Sequence, residues 1–168
     1  MQRFTVAVLV RNQFGVLNRV TSMFRRRQFN IDCLTVSETE SPDFSRITVL
    51  FDGEEQTKKQ LIDQLYKLPD VCSVKQLHRS NSVTCELMLI KMKNEPETRE
   101  EIRDAAAAFE ANTVDYSREA MVFQLTGDSR RIDDFINLMK DFTILEICRT
   151  GIVSLERGEE TIRKINCL

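Results

Sequence analysis

What this chain lacks removes most catalytic readings before any element is placed. It has one histidine, His78, in 168 residues, and no serine or cysteine nucleophile can be matched to a convincing imidazole base. Five cysteines (Cys33, Cys72, Cys85, Cys148, Cys167) lie far apart, with no C-x-x-C among them, which excludes a zinc ribbon and a thioredoxin-type redox pair. Cys33, Cys72, Cys85 and Cys148 fall in strand-like runs and are expected to be buried, reduced thiols. There is no G-x-G-x-x-G, and no carboxylate–histidine cluster that spacing would make a metal site. No apolar run reaches the ~18 residues of a membrane span, and the N-terminus has no signal-peptide core, so a cytoplasmic protein without membrane contact is expected. The net charge of -2 and pI near 5.6 provide no basic surface for nucleic acid.

What is present is a foldable chain, 42% hydrophobic and 30% charged, organised around residues 5–40. Val6-Ala7-Val8-Leu9-Val10 is short and rich in β-branched residues, which predicts a strand. Arg11-Asn12-Gln13-Phe14-Gly15 is a polar turn closed by glycine. Val16, Val20, Met23 and Phe24 then recur at helical spacing, and Arg25-Arg26-Arg27 places cations in the last turn, complementing the helix dipole. A second strand is predicted from Asn30 to Ser37, and a third from Ser45 to Phe51, joined as a hairpin. A helix over 55–68 (Leu61, Ile62, Leu65, Leu68) and a strand over 71–78 complete the order βαββαβ.

After the polar break Arg79-Ser80-Asn81-Ser82 the pattern repeats. A strand is predicted over 83–92, a helix over 98–110 packing through Ile102, Ala105, Ala106 and Phe109, and strands over 113–116 and 120–126. A helix carrying Ile132, Phe135, Ile136 and Met139 follows, and a last strand over 143–154. The fold class is α+β, two consecutive ferredoxin-like βαββαβ units. The expected domains are 1–79 and 80–168, the second ending in a charged, partly frayed tail from Glu156. No low-complexity linker separates them.

The chemistry concentrates at the mouth of the first helix. Its first-turn N–H groups have no intrahelical acceptors, and the dipole adds partial positive charge there. Gly15 carries no side chain to block an anion, and Asn12 can both donate and accept hydrogen bonds, suiting a ligand with a carboxylate and an amine. On these residues alone, the favoured account is that Gly15 only shapes the turn and Asn12 only caps it.

The strings LVRNQFGVLNRVTSMFRRRQFNIDCLTVSETESPDFSRITV, QLYKLPDV, CELMLIK, GDSRRIDDFINLMK and ILEICRTGIVSLERGE carry a resemblance over nearly the whole chain. The first half resembles an ACT domain, and the chain as a whole is similar to the regulatory small subunits of acetolactate synthase (acetohydroxyacid synthase). The resemblance implies a subunit without chemistry of its own. It would activate a catalytic subunit that uses thiamine diphosphate, magnesium and FAD, and confer feedback inhibition by valine in branched-chain amino-acid biosynthesis. No cofactor is implied in this chain, and Asp52-Gly53-Glu54 lacks the first glycine of a Gly-Asp-Gly thiamine diphosphate motif. The implied effector site lies between the ACT domains of a homodimer paired through the second strands: Asn12, Gly15, Val16 and Leu17 of one chain face Asn30 and Ile31 of the other.

Two positions depart from the family pattern. Phe14 stands where a small residue or proline precedes the glycine. Gln28 replaces a glycine, at a cost on the order of 1 kcal/mol if the backbone there is left-handed. Rival uses of the fold fit less well. An RNA-recognition module needs stacking aromatics where SRITVLF offers only Phe51, and a copper chaperone needs paired cysteines in the first loop. A free-standing ACT-type amino-acid sensor with another partner remains open. So does Arg25–Arg27 as a docking patch rather than a solvated helix end.

Overall fold

The computed structural model describes residues 2–163 and divides them into two compact units. One runs to Val83 and takes back the chain from Ile152; the other is Thr84–Gly151. The boundary expected at 79/80 falls a few residues later, and the segment assigned by sequence to the second domain belongs with the first unit.

In the first unit β1 (Gln2–Arg11), α1 (Val16–Arg26), β2 (Cys33–Glu38), β3 (Phe44–Gly53), α2 (Glu55–Leu65) and β4 (Val71–Leu77) follow one another. The strands form one antiparallel sheet in the order β2-β3-β1-β4. Alternation along β1 and β3 sends Phe4, Val6, Val8, Val10, Ile47, Val49 and Phe51 to the face covered by Val16, Val20, Met23 and Phe24 of α1 and Leu61 and Leu65 of α2. Burying such side chains contributes about 1.5–3 kcal/mol each. Lys58 of α2 is buried with its ammonium over the Phe4 ring, 5.2 Å from the centroid, and paired with Glu55. The helix predicted to reach Leu68 stops at Leu65, although Leu68 still packs on the core.

The opposite face, which the two helices leave bare, is also covered. Ala7, Leu9, Thr48, Leu50 and Ser73 on that face are all buried. The returning segment from Ile152 accounts for it in part: Leu155, Glu156 and 160–163 lie with Leu9, Arg46, Lys75 and Leu77 around one cavity. The tail read from its charge as frayed is therefore attached as far as Arg163, and residues 164–168 lie outside the described ones.

The second unit repeats the plan with β5 (Ser82–Lys93), α3 (Arg99–Ala108), β6 (Asn112–Tyr116), β7 (Ala120–Gly127), α4 (Ser129–Met139) and β8 (Ile144–Arg149), in sheet order β6-β7-β5-β8. Its core is Met88, Ile90, Met92, Met121, Phe123 and Leu125 against Ile102, Ala106, Ile132, Phe135 and Met139. Asp128 caps α4 by accepting from Arg131 N at 2.9 Å. The last strand, predicted as continuous over 143–154, is broken: Gly151 takes a positive φ of 77°. The chain resumes as β9 (Val153–Glu156), which pairs with β5.

The duplication extends to irregular features. The register of β1 on β4 shifts between Leu9 and Val10, and that of β5 on β8 between Lys91 and Met92. Both first helices end in the same Schellman motif. Phe29 N donates to Phe24 O and Gln28 N to Arg25 O; Ala111 N donates to Ala106 O and Glu110 N to Ala107 O. The residue past each cap, Gln28 or Glu110, has positive φ (58° and 53°) without being glycine. Two cysteine expectations are corrected: Cys85 and Cys148 are exposed, being on outward positions of β5 and β8, while Cys33 and Cys72 are only partly buried.

Candidate effector site at the mouth of the first helix

Gly15 is the N-cap of α1 at φ 79°, a conformation that side chains disfavour. A Cβ on it would stand 3.3 Å from Arg19 Nη1. No side chain caps the helix, and no acid sits in its first turn. The first-turn donors are thus left uncapped by side chains, as an anion site requires. Val16 N donates to Gln13 O over 3.3 Å. The Val16 side chain is in the core, so only its backbone faces the mouth, whereas Leu17 is 42% exposed and Phe14 fully so.

Asn12 does not cap the helix. Its Nδ2 donates to Glu38 Oε1 and to Pro42 O, both at 3.0 Å, and its backbone N donates to Asp43 O at 2.7 Å. The residue therefore braces the turn between β2 and β3, beside a shallow cavity lined by Arg11, Asn12, Gln13, Asp43 and Phe44. Sequence reasoning missed these acceptors, since nothing local ties Asn12 to residues so far along the chain. It also missed Arg19 and Asp70. Arg19 Nε is 2.6 Å from Asp70 Oδ2, and Asp70 O accepts from Arg11 N at 2.9 Å, which fixes a guanidinium beside Gly15.

Asn30 and Ile31 are at the other end of the unit. Asn30 Nδ2 donates to Asp32 Oδ1 at 3.1 Å, and Ile31 is half-buried against the core. Cys33 is opposite Leu50, whereas Glu38 is opposite Ser45 and Arg11 opposite Phe44. The two halves of the expected site are thus separated, within one chain, by the length of α1, about 16 Å for eleven residues. β2 is an edge strand, with Val36 40% exposed. His78 is exposed past the end of β4. Among the described residues no group of three His, Cys, Asp or Glu side chains could hold a metal ion. No described helix is long and apolar enough to cross a membrane.

Two ferredoxin-like units in tandem, the first with an uncapped, glycine-lipped helix mouth, have the architecture of a tandem ACT-type module. Residues 6–73 match the AHAS small subunit-like ACT domain, and residues 85–158 match the family described as small subunit of acetolactate synthase. The chain is 43% identical to the probable acetolactate synthase small subunit of Archaeoglobus fulgidus, over 94% of this chain and 99% of that one. It is 41% identical to the small subunit of Bacillus subtilis over 92% and 91%. The crystal structure of the acetolactate synthase small subunit from Thermotoga maritima superposes with a TM-score of 0.89 at 35% identity, covering 95% of this chain and 100% of that one. The chain belongs to the acetolactate synthase small-subunit family.

Proposed function

We propose that this chain is the regulatory subunit of acetolactate synthase, which activates a thiamine-diphosphate catalytic subunit and carries feedback inhibition by valine. The observation that supports it most directly is the mouth of α1. Backbone donors uncapped by any side chain, a glycine lip held at φ 79° and an adjacent guanidinium make a receptor for a small carboxylate. Half-exposed Leu17 offers an apolar surface for a branched side chain.

The separation of the two asparagines supports a site shared between copies. An antiparallel partner at the free edge of β2 sets the start of one β2 beside the end of the other. Asn30 and Ile31 of one copy then stand next to Asn12, Gly15, Val16 and Leu17 of its mate. Pairing also removes an exposed edge strand. Thiamine diphosphate, magnesium and FAD belong, in this reading, to the catalytic subunit, and both act in the cytoplasm.

The test reconstitutes purified chain with its catalytic subunit. Acetolactate formation is expected to rise on mixing and to fall with added valine, with no pyruvate turnover by this chain alone. Turnover by the isolated chain, or a catalytic subunit indifferent to it, overturns the reading; co-purification with an unrelated enzyme points instead to a free-standing sensor.

A further inference from the structure

The segment that returns over the first sheet is attached to the same turn that holds Asn12. Glu38, at the end of β2, and Pro42 accept from Asn12 Nδ2 on one side of this turn. On the other side Arg163 pairs with Glu40 at 2.5 Å, and Arg46 Nη2, just inside β3, donates to Ser154 O at 2.7 Å. Between them the turn is internally cross-linked. Thr39 N donates to Phe44 O, Phe44 N to Ser41 O, and Thr39 Oγ1 to Ser41 O at 2.9 Å. A turn so bonded moves as a piece rather than absorbing a pull at one residue.

The attachment rests on one short strand and a few polar contacts. Its other anchors among the described residues include the pairing of β9 with β5, Ile152 N on Cys33 Sγ at 3.2 Å, Arg157 N on Asn81 O at 2.9 Å, and Lys75 with Glu156 and Glu160. Ile152 is buried, but Leu155 is 58% exposed. A cavity of about 360 Å³ remains between segment and sheet, and Arg46 Nε is buried without a hydrogen-bond partner. The carboxylates around this cavity are paired: Glu156 and Glu160 with Lys75, Glu40 with Arg163, Glu38 with Asn12. The cavity thus has the character of an imperfectly closed interface, and a segment with few buried contacts opens at low cost.

We propose that residues 152–163 form a releasable strap, and that its attachment and effector occupancy at Asn12 are coupled through the β2–β3 turn. The coupling rests on the reading of Asn12 as an effector ligand. It follows from donor inventory: a side-chain amide has two N–H donors, and both go to the turn. An effector carboxylate that takes one must break the bond to Glu38 or to Pro42, which loosens the turn and with it the strap. By linkage, a strap that is already loose favours the effector by the same factor.

Hydrogen exchange of the full chain, read on peptides spanning 152–163, tests this. Asn12→Ala is expected to speed exchange at Ile152 and Arg157 about two- to tenfold, the equivalent of one hydrogen bond's net 0.5–1.5 kcal/mol. The amides of β1 and β3 should stay unchanged and the melting temperature close to wild type. Saturating valine should do the same to the wild-type strap. Glu40→Gln, which loosens the strap from the far side, should tighten valine binding by calorimetry. Wild-type strap exchange in a folded Asn12→Ala variant overturns the coupling, as does valine heat without faster strap exchange. Absence of valine heat overturns the effector reading of Asn12, while the Asn12→Ala rate still decides the coupling.

Discussion

Gln28→Gly should make this protein more stable, although it deletes a side chain and adds nothing. Gln28 follows the cap of α1 with φ 58°, and its side chain is exposed. Its backbone N–H and that of Phe29 close the Schellman motif onto Arg25 O and Phe24 O, and the Phe29 and Phe24 rings meet edge to face at 6.3 Å. The motif therefore fixes the left-handed conformation, and an L-residue there costs about 1–2 kcal/mol. Glycine removes that strain but adds unfolded-chain freedom worth about 0.5–1 kcal/mol. The net gain is about 0.5–1 kcal/mol, or roughly 2–8 °C in the first unit's melting temperature. Urea unfolding should show a higher midpoint at unchanged m-value. Gln28→Ala is the control, because alanine keeps the strain and loses the side chain, so it should be near neutral. If alanine stabilises as much as glycine, or glycine destabilises, strain at this cap is not the operative term.

Glu110→Gly tests the same cap in the second unit and should gain less, because Glu110 also pairs with Arg131 at 3.3 Å; an equal or larger gain would deny that pair any worth. Arg149→Met leaves the Glu86 carboxylate, 4% exposed and gripped by Arg149 at 2.5 and 3.0 Å, with Ser129 Oγ as its one remaining side-chain donor among the described residues. A loss of about 2–3 kcal/mol in denaturant melts is expected after discounting for the part-exposed arginine, with recovery in Glu86→Leu/Arg149→Met; a neutral single variant refutes it. Lys75 pulls the Glu160 carboxyl below its ordinary 4.5 and is itself raised by Glu156 and Glu160. The sign follows: the carboxylate's contribution is present above its ordinary pKa and lost as pH falls through the depressed one, while lysine's is lost as pH rises through its raised one. Strap attachment should thus hold across neutral pH and weaken in acid, and an NMR midpoint for Glu160 at or above 4.5 would refute the pairing. Gly15→Asp should abolish valine inhibition, since its carboxylate would occupy the ligand's donors, and should cost about 1 kcal/mol of stability through its positive φ. Retained inhibition in a folded variant would mean that the mouth is not the effector site.

The fold was readable because its strands and helices obey single periods. Val16, Val20, Met23 and Phe24 form a helical stripe in sequence and all four are buried in the structure. The element order of both units could be written from such patterns. Burial was less readable wherever two faces are covered. Thr48 and Leu50 alternate with Ile47 and Val49 as outward residues should, yet all four are buried. What covers that face comes partly from beyond residue 150, in a segment whose Glu, Arg and Gly content signals exposure. Those charges are exposed in part and attached nonetheless, because Lys75, Arg46 and Glu40 supply partners that no local pattern reveals. Cys85 and Cys148 failed for the related reason that a strand has an outer side, and apolar neighbours do not say which side a thiol takes.

At the proposed site, sequence reasoning named the backbone donors of the first helical turn and missed the side chains that come from elsewhere in the chain. The positive φ at Gly15 was implied by glycine between a strand and a helix, and the strain at Gln28 by the missing glycine. Asn12 was read as a polar group of the first turn, and its neighbours were missed because its acceptors come from a hairpin that closes only when β3 pairs with β1. This difference bears on how such a module can report its ligand. A mouth made only of backbone donors binds an anion without telling the rest of the chain. In the proposed coupling, Asn12 ties that mouth to the hairpin and the hairpin to the strap, and it is the residue through which binding would be transmitted.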